Sequence, residues 1–390
     1  MTPRPDAIVV GAGVVGAAVA RALVREGMRV DVVEAAFPGS GATAAGMGHV
    51  VVMDDSPAQL ALTARSRALL LEVADELPAS CELDRCGTLW VAEDGEQLTA
   101  VYAKHALLAA NGVACEVVDG PALAAAEPEL RPGLAGALYV PHDLVVYPPA
   151  FAGWLLDAEA GPRLRVLRGI EVTGFGARAA LTVDGPLLAD VVINAAGAHA
   201  VRLTPELPIL PRKGHLVITD RHPRFCTHQL VELGYLKSAH TMTAESVAFN
   251  VQPRRTAQLL IGSSRELVGW DATVNARVLQ RMLRRALDFL PRLAMLSAIR
   301  VWTGFRPATP DKLPLIGPWD SVDGLWIAAG HEGLGIATAL GTAELLRDRL
   351  LKRPTALDAT AYDAMRRLPT PAAAPVSSEP AAATGVAATA

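Results

Sequence analysis

The stretch Ala7-Ile8-Val9-Val10-Gly11-Ala12-Gly13-Val14-Val15-Gly16, running on to Glu34, constrains this chain more than any other. An apolar run of strand length meets a glycine-rich turn, and the turn opens a small-residue helix predicted over 14–26 and closed by Gly27. The three glycines serve different ends. Gly11 permits the tight turn, Gly13 lets a pyrophosphate approach the backbone, and Gly16 lets the helix lie close on the sheet. The N–H groups and positive dipole end of that helix then face the phosphates. A second strand over 29–33 leads to Glu34, whose carboxylate is placed to accept the hydroxyls of an adenosine ribose. An acid at this position favours an unphosphorylated ribose, hence FAD or NAD rather than NADP. The fold class that follows is α/β, opening on a Rossmann-like parallel sheet.

With 390 residues the chain is long enough for two or three domains and a large core, and its 51% apolar and 19% charged residues read as a globular protein with much buried sheet. A formal net charge of -4 gives no reason to expect a nucleic-acid partner or an anionic membrane surface. No stretch reaches the roughly 20 uninterrupted apolar residues of a membrane span. Residues 1–6 lack a secretory pattern, so a cytoplasmic protein is expected. Cys81, Cys86, Cys115 and Cys226 lack the close spacing and partner pair of a zinc site; they read as reduced thiols, and no metal is expected.

The run from Phe37 to His49 is too rich in glycine and alanine for an ordinary connection, and in a doubly wound fold it passes over the carboxyl ends of the strands, where ligands bind. Leu62, Leu69, Leu70, Val73 and Leu77 recur at helical spacing up to Pro78. A different texture begins near Cys81, with a strand over 88–91, a helix over 96–110 and a strand over 115–118, and it reads as an inserted second domain. A helix over 148–160 returns the chain to the first domain, and 189–197 is a buried strand that ends in the small residues Ala195, Ala196 and Gly197. Strands over 215–219, 247–251 and 258–261, then a helix near 278–290, complete the second domain. Its sheet is expected to be antiparallel because these strands follow one another without crossover helices. The final structured stretch repeats the opening logic: a strand over 324–330, a glycine turn over 331–335 and a helix over 336–350. The expected division is therefore a discontinuous FAD-binding domain (1–80, 141–210 and 300–355), a substrate domain (81–140 and 211–299), and a disordered tail over 368–390.

Three separated motifs agree. The Gly11, Gly13, Gly16 and Glu34 fingerprint, the Asn194-Ala195-Ala196-Gly197 strand end, and the Arg306-Pro307-Ala308-Thr309-Pro310-Asp311 segment with Gly330-His331-Glu332-Gly333-Leu334-Gly335 together resemble the FAD-dependent amino-acid oxidase and dehydrogenase family. The resemblance implies a Rossmann-like FAD-binding domain carrying an inserted antiparallel α+β substrate domain. It also implies that FAD is held by Gly11, Gly13, Val14, Val15, Gly16, Glu34, Ala35, Ser40, Thr43, Ala44, Gly46, Met47, Val172, Ala195, Ala196, Gly197, Gly330, Gly333, Leu334, Gly335 and Ile336. Gly46-Met47 resembles the glycine-oxidase branch, where this loop lies beside the flavin ring. The combination of 42–55, Gln252-Pro253-Arg254 and 330–335 further resembles bacterial dehydrogenases of cis-4-hydroxy-D-proline. Two positions depart: the glycine-oxidase branch usually carries an arginine where this chain has Gly333, and many relatives an acid where it has Tyr147.

Chemistry of this kind asks the protein for a fixed carbon-to-flavin geometry, a cation for the substrate carboxylate and positive potential where the reduced ring collects charge. Arg306 is the carboxylate candidate, because a guanidinium offers a permanently charged two-pronged match. The Gly333 to Ile336 turn supplies the potential. His49 is placed to touch substrate or tune amine protonation near neutral pH, and Tyr235 to close the site from the second domain. His331 reads as a packed histidine donating to backbone, and Asp54, Asp55 and Asp311 as turn and capping residues. The expected function is oxidation of a D-amino acid or cyclic secondary amino acid to an imine. Its alternatives are a glycine/sarcosine-type oxidase using oxygen and a flavin-holding subunit of a larger complex. The electron acceptor is left open among oxygen, a quinone and a partner protein.

Overall fold

The structure is a computed structural model and describes residues 4–234 and 245–368. Tyr235 lies outside the described residues, as does the expected tail beyond its first residue, Leu368. Two principal sheets organise the described chain. The six-stranded one runs in the order Leu315–Pro318, Leu325–Ala329, Val191–Asn194, Ala7–Val10, Val30–Glu34 and Leu164–Arg168. Its pairs are parallel except for the antiparallel edge pair of Leu315–Pro318 with Leu325–Ala329. Both faces are covered, which is why Ala7–Val10 and Leu325–Ala329 read as unbroken apolar runs, while Asp31 and Arg165 on the two strands at the other edge pair with each other. On one side lie the opening helix Val14–Arg25, the helix Pro148–Asp157 and the closing helix Gly335–Leu350, joined through Ala17, Leu23, Phe151, Ala339 and Leu346 in one core.

The opening helix begins one residue inside the glycine turn, at Val14, because Gly16 removes the obstacle to packing: a Cβ there would stand 1.9 Å from the Gly11 carbonyl oxygen. Gly11 itself has φ +103°, open to glycine but rarely to other residues, and a Cβ there would meet the Ala195 carbonyl oxygen at 2.7 Å.

The second sheet has eight strands: Ala298–Ala308, Leu210–Thr219, Leu259–Glu266, Glu245–Pro253, Gln229–Glu232, Thr88–Ala92, Gly136–Val140 and Glu116–Asp119. It is antiparallel as expected except where Gln229–Glu232 pairs parallel with Thr88–Ala92. That exception marks the seam at which two distant stretches of chain meet. The helix Ala276–Phe289 backs this sheet. Asn275 caps it by accepting from the backbone N–H groups of Arg277 and Val278, and Phe289 stacks on Phe249 with ring centroids 4.2 Å apart. One face of the sheet is thereby sealed by Met282, Ala286 and Phe289 against Phe249, Val251 and Ile261, and the opposite face is turned toward the ends of the parallel strands. Among the described residues no helix is long and apolar enough to cross a membrane.

Candidate functional site

Between that face and the carboxyl ends of the parallel strands lies a cavity of about 600 Å³. Both glycine turns open on it. Of the expected cofactor residues, Gly11, Gly13, Val14, Val15, Glu34, Ala35, Ser40, Thr43, Gly46, Met47, Val172, Ala195, Ala196, Gly197, Gly333, Leu334, Gly335 and Ile336 line its wall. Gly16, Ala44 and Gly330 do not. Gly16 is spent on the helix contact, Ala44 is turned outward by the short helix Gly41–Ala44, and a Cβ at Gly330 would strike the Thr309 methyl at 2.6 Å, so its role is packing.

The residues fit a dinucleotide. Neither Gly13 nor Leu334, the residues before the opening and closing helices, caps its helix with its own side chain, so apart from the amide that Thr43 takes, N–H groups of two helix N-termini face one cavity. The Val14 N–H donates to Thr43 Oγ1 at 3.1 Å, which fixes the loop against the first turn. Glu34 is held at the far end by two amides, Ala12 N donating to Oε2 at 2.8 Å and Ala36 N to Oε1 at 2.9 Å, leaving lone pairs for ribose hydroxyls. Asn194 explains the Asn-Ala-Ala-Gly strand end. Its Nδ2 donates to the Ala200 carbonyl and Thr204 Oγ1, both at 3.1 Å, and its Oδ1 accepts from Ala196 N at 3.3 Å, so the side chain moulds the loop that bounds the cavity.

At the other end Arg306 comes off Ala298–Ala308 and lines the cavity; its Nη1 donates to the Ser264 carbonyl at 2.9 Å. The side chain runs through a slot between two glycines. A Cβ at Gly214 would stand 2.2 Å from Arg306 Nη1, and one at Gly333 would stand 3.2 Å from its Cδ and Nε. The departure at Gly333 thus has a local reason: Arg306 needs the space. Beside it lies Glu332, held in left-handed backbone at φ +50° by a 2.8 Å hydrogen bond from its N–H to the Pro307 carbonyl. Burial pushes its carboxyl up, but Arg265, Arg306 and Arg212 together hold it below the usual range, and Arg212 Nη1 approaches Oε1 at 3.3 Å.

The loop expected to cross the ring is clamped from the second sheet: Gln252 Nε2 donates to the Met47 carbonyl at 2.9 Å and Trp302 Nε1 to that of Ala45 at 3.4 Å. His49 also lines the cavity, but burial holds its pKa at about 3. The ring is therefore uncharged throughout the neutral range, which corrects the expectation that it tunes protonation there. His331 is a packed histidine, but its Nε2 pairs with Thr342 Oγ1 at 3.0 Å rather than with backbone. Asp311 caps Leu313 N at 3.1 Å, whereas Asp54 is an ion-pair partner of Lys104, and Asp55 lines the cavity 4.0 Å from Lys312 Nζ.

Sequence reasoning missed Asn250, Ser263, Arg265, Lys312 and Glu332 on the wall. For Asn250 a signal existed. In Phe249-Asn250-Val251-Gln252 polar residues alternate with apolar ones, which marks one strand face as polar but does not say whether it meets solvent or a site.

Comparison with known proteins agrees with this geometry. The model of the DAO family, FAD dependent oxidoreductase, matches residues 6–349. The chain is 31% identical over 426 residues to the hydrogen cyanide synthase subunit HcnC of Pseudomonas aeruginosa, covering 95% of this chain and 98% of the relative. It is 31% identical over 281 residues to a D-amino acid dehydrogenase of Cereibacter sphaeroides, covering 67% of this chain and 60% of the relative. The solved glycine oxidase of Geobacillus kaustophilus superposes with a TM-score of 0.83 at 27% identity, over 94% of this chain and 100% of that one.

Proposed function

The chain belongs to this family of FAD-dependent oxidoreductases, and from that premise we propose that it oxidises a D-amino acid or a cyclic secondary amino acid, of the kind represented by cis-4-hydroxy-D-proline, to the imine. Bound FAD would supply the hydride acceptor; loss of hydride from the substrate carbon with formation of the C=N bond gives the iminium, which yields the imine by releasing its nitrogen proton to solvent. The chain's own residues bind and orient.

The observation that carries the reading is Arg306. A guanidinium fixed by the Ser264 carbonyl and by its glycine slot stands on the cavity wall beside the closing glycine turn, where a substrate carboxylate pairs with it in a two-pronged geometry. At the same end the closing helix Gly335–Leu350 presents its dipole and the N–H groups of Gly335 and Ile336, those of Gly333 and Leu334 being taken by Glu332 and the His331 carbonyl, and they would stabilise negative charge formed on reduction of bound FAD. His49, half-buried on the wall and uncharged, contributes shape and no charge. Oxidation by hydride loss from an unprotonated amine needs no side-chain base, which matches a wall rich in cations and poor in bases near neutral pH.

A second reading, a glycine/sarcosine-type oxidase with oxygen as acceptor, is supported by the likeness to glycine oxidase. The likeness to HcnC supports work within an assembly. Anaerobic mixing of the purified protein with D-amino acids, D-proline derivatives, glycine and sarcosine tests all of these. Bleaching of the flavin by D-proline derivatives is expected. Bleaching by glycine and sarcosine alone transfers the assignment to the second reading, and none at all removes both. Arg306→Ala should lower kcat/KM by roughly 100-fold or more while FAD stays bound, because a permanent charge partner of the carboxylate is lost.

A further inference from the structure

Carboxylate binding leaves part of the cavity wall unexplained. Asn250 lies on Glu245–Pro253, Ser263 and Arg265 lie on Leu259–Glu266, and all three line the cavity. These strands pair antiparallel with Asn250 opposite Gly262, and the register shifts between Val247 and Asn250, the irregular step that holds Ser263. Strand alternation sends Phe249 and Val251 into the core beneath the backing helix and Asn250 to the opposite face. Asn250 is 4% and Ser263 2% exposed, and neither Asn250 Oδ1 nor Ser263 Oγ has a hydrogen-bond partner among the described residues. Buried polar atoms in folded proteins are nearly always paired, and leaving them unpaired is costly. Two unpaired polar groups on one cavity wall therefore point to a bound group that pairs them.

The surrounding groups say what the ligand offers. Arg212, Arg265 and Arg306 all act on the Glu332 carboxylate, and Lys312 has Asp55 beside it. The two orphaned groups are themselves uncharged, an amide oxygen that accepts and a hydroxyl that donates, and a neutral hydroxyl is the simplest group that answers both.

Resting on the function proposed above, we infer that Asn250 and Ser263 read a neutral hydroxyl carried by the substrate beyond its reacting carbon, and so set a preference for hydroxylated over unsubstituted amino acids. The hydroxyl donates to Asn250 Oδ1 and accepts from the Ser263 O–H, which satisfies both orphaned groups at once. An unsubstituted ring leaves them unpaired, and sites built to hydrogen-bond a substrate hydroxyl reject the analogue lacking it more strongly than an apolar pocket discriminates by size.

The test compares cis-4-hydroxy-D-proline, D-proline and D-glutamate as reductants of the flavin-loaded wild type, Asn250→Ala and Ser263→Ala, with visible absorbance and circular dichroism as checks of folding. In the wild type kcat/KM should favour the hydroxylated ring by about tenfold or more, and each variant should shrink that ratio by about tenfold. A ratio near one in the wild type, or an unchanged ratio in both folded variants, overturns the inference. So does a preference for D-glutamate that disappears in Arg265→Met, since the wall then reads a carboxylate. Bleaching by proline derivatives with an unaltered ratio sinks this inference alone, whereas no bleaching by any amino acid removes the proposed function and this inference with it.

Discussion

Arg306 owes its position to two missing side chains. Gly214, in the strand paired with its own, and Gly333, in the closing turn, leave the slot through which the guanidinium passes. Gly214→Ala places a methyl group 2.2 Å from Nη1, too close for any contact, so the guanidinium must shift. The expected result is a loss of kcat/KM on the order of 10- to 100-fold with FAD content unchanged, since misplacement by about an ångström is sufficient for such a loss. Steady-state kinetics beside the visible spectrum checks it; unaltered kinetics would show that the slot does not set the arginine. Residues of this kind differ in how far the sequence reveals them. Gly11, Gly13 and Glu34 are legible because phosphate and ribose recognition places them at fixed offsets within one strand, turn and helix. Arg306 is legible through the motif around it. Gly214 and Arg265 are not, because what each one touches is fixed by sheet register between strands distant in sequence, and no local pattern carries that information.

At the scale of elements, the two sheets are joined across the cavity by more than backbone. Trp270, in the segment between Leu259–Glu266 and Ala276–Phe289, stacks on His199 at 4.7 Å between ring centroids, has the Arg202 guanidinium 4.1 Å from its ring centre and meets Phe305 at 5.3 Å. His199, Arg202 and Phe305 all line the cavity. Trp270 is therefore a clasp between the loop after Val191–Asn194 and the strand that carries Arg306. Trp270→Ala removes one stacking and one cation–π contact, each worth about 0.5–1.5 kcal/mol, and should weaken FAD binding by about tenfold in a fluorescence titration of the apoprotein. An unchanged affinity would reduce the clasp to surface packing. Elements themselves were largely readable from periodicity and glycine punctuation: the helices expected over 96–110 and 336–350 are observed as Gly95–Ala110 and Gly335–Leu350. The parallel pairing of Gln229–Glu232 with Thr88–Ala92 was not, because adjacency in sequence says nothing about where two separate stretches join.

For the whole molecule, burial of two histidines links stability to pH. His49 and His331 are each held at a pKa of about 3 by burial, well below the roughly 6.5 of an unfolded chain. Between those values the unfolded chain binds protons that the native protein does not, so their contribution is complete above about pH 6.5 and is lost as pH falls toward 3. Asp143, raised to about 6 by burial, and Asp84, raised the same way, act in the opposite sense, while burial also lowers His199 and His215 alongside the two deepest histidine shifts. Melting temperature should therefore fall between pH 6.5 and 4.5. His331→Gln, which keeps a partner for Thr342, should flatten that fall by the equivalent of about 1.4 kcal/mol per pH unit. An equal slope in the variant would show that His331 is not one of the groups responsible.

The slot around Arg306 bears on how such a protein changes its diet over generations. If Arg306 anchors the substrate as proposed, selectivity is written partly in hydrogen atoms, at Gly214 and Gly333, rather than in the groups that meet the substrate. A laboratory search for new substrates that varies only visible contact residues would overlook the two places where adding a single carbon moves the anchor itself.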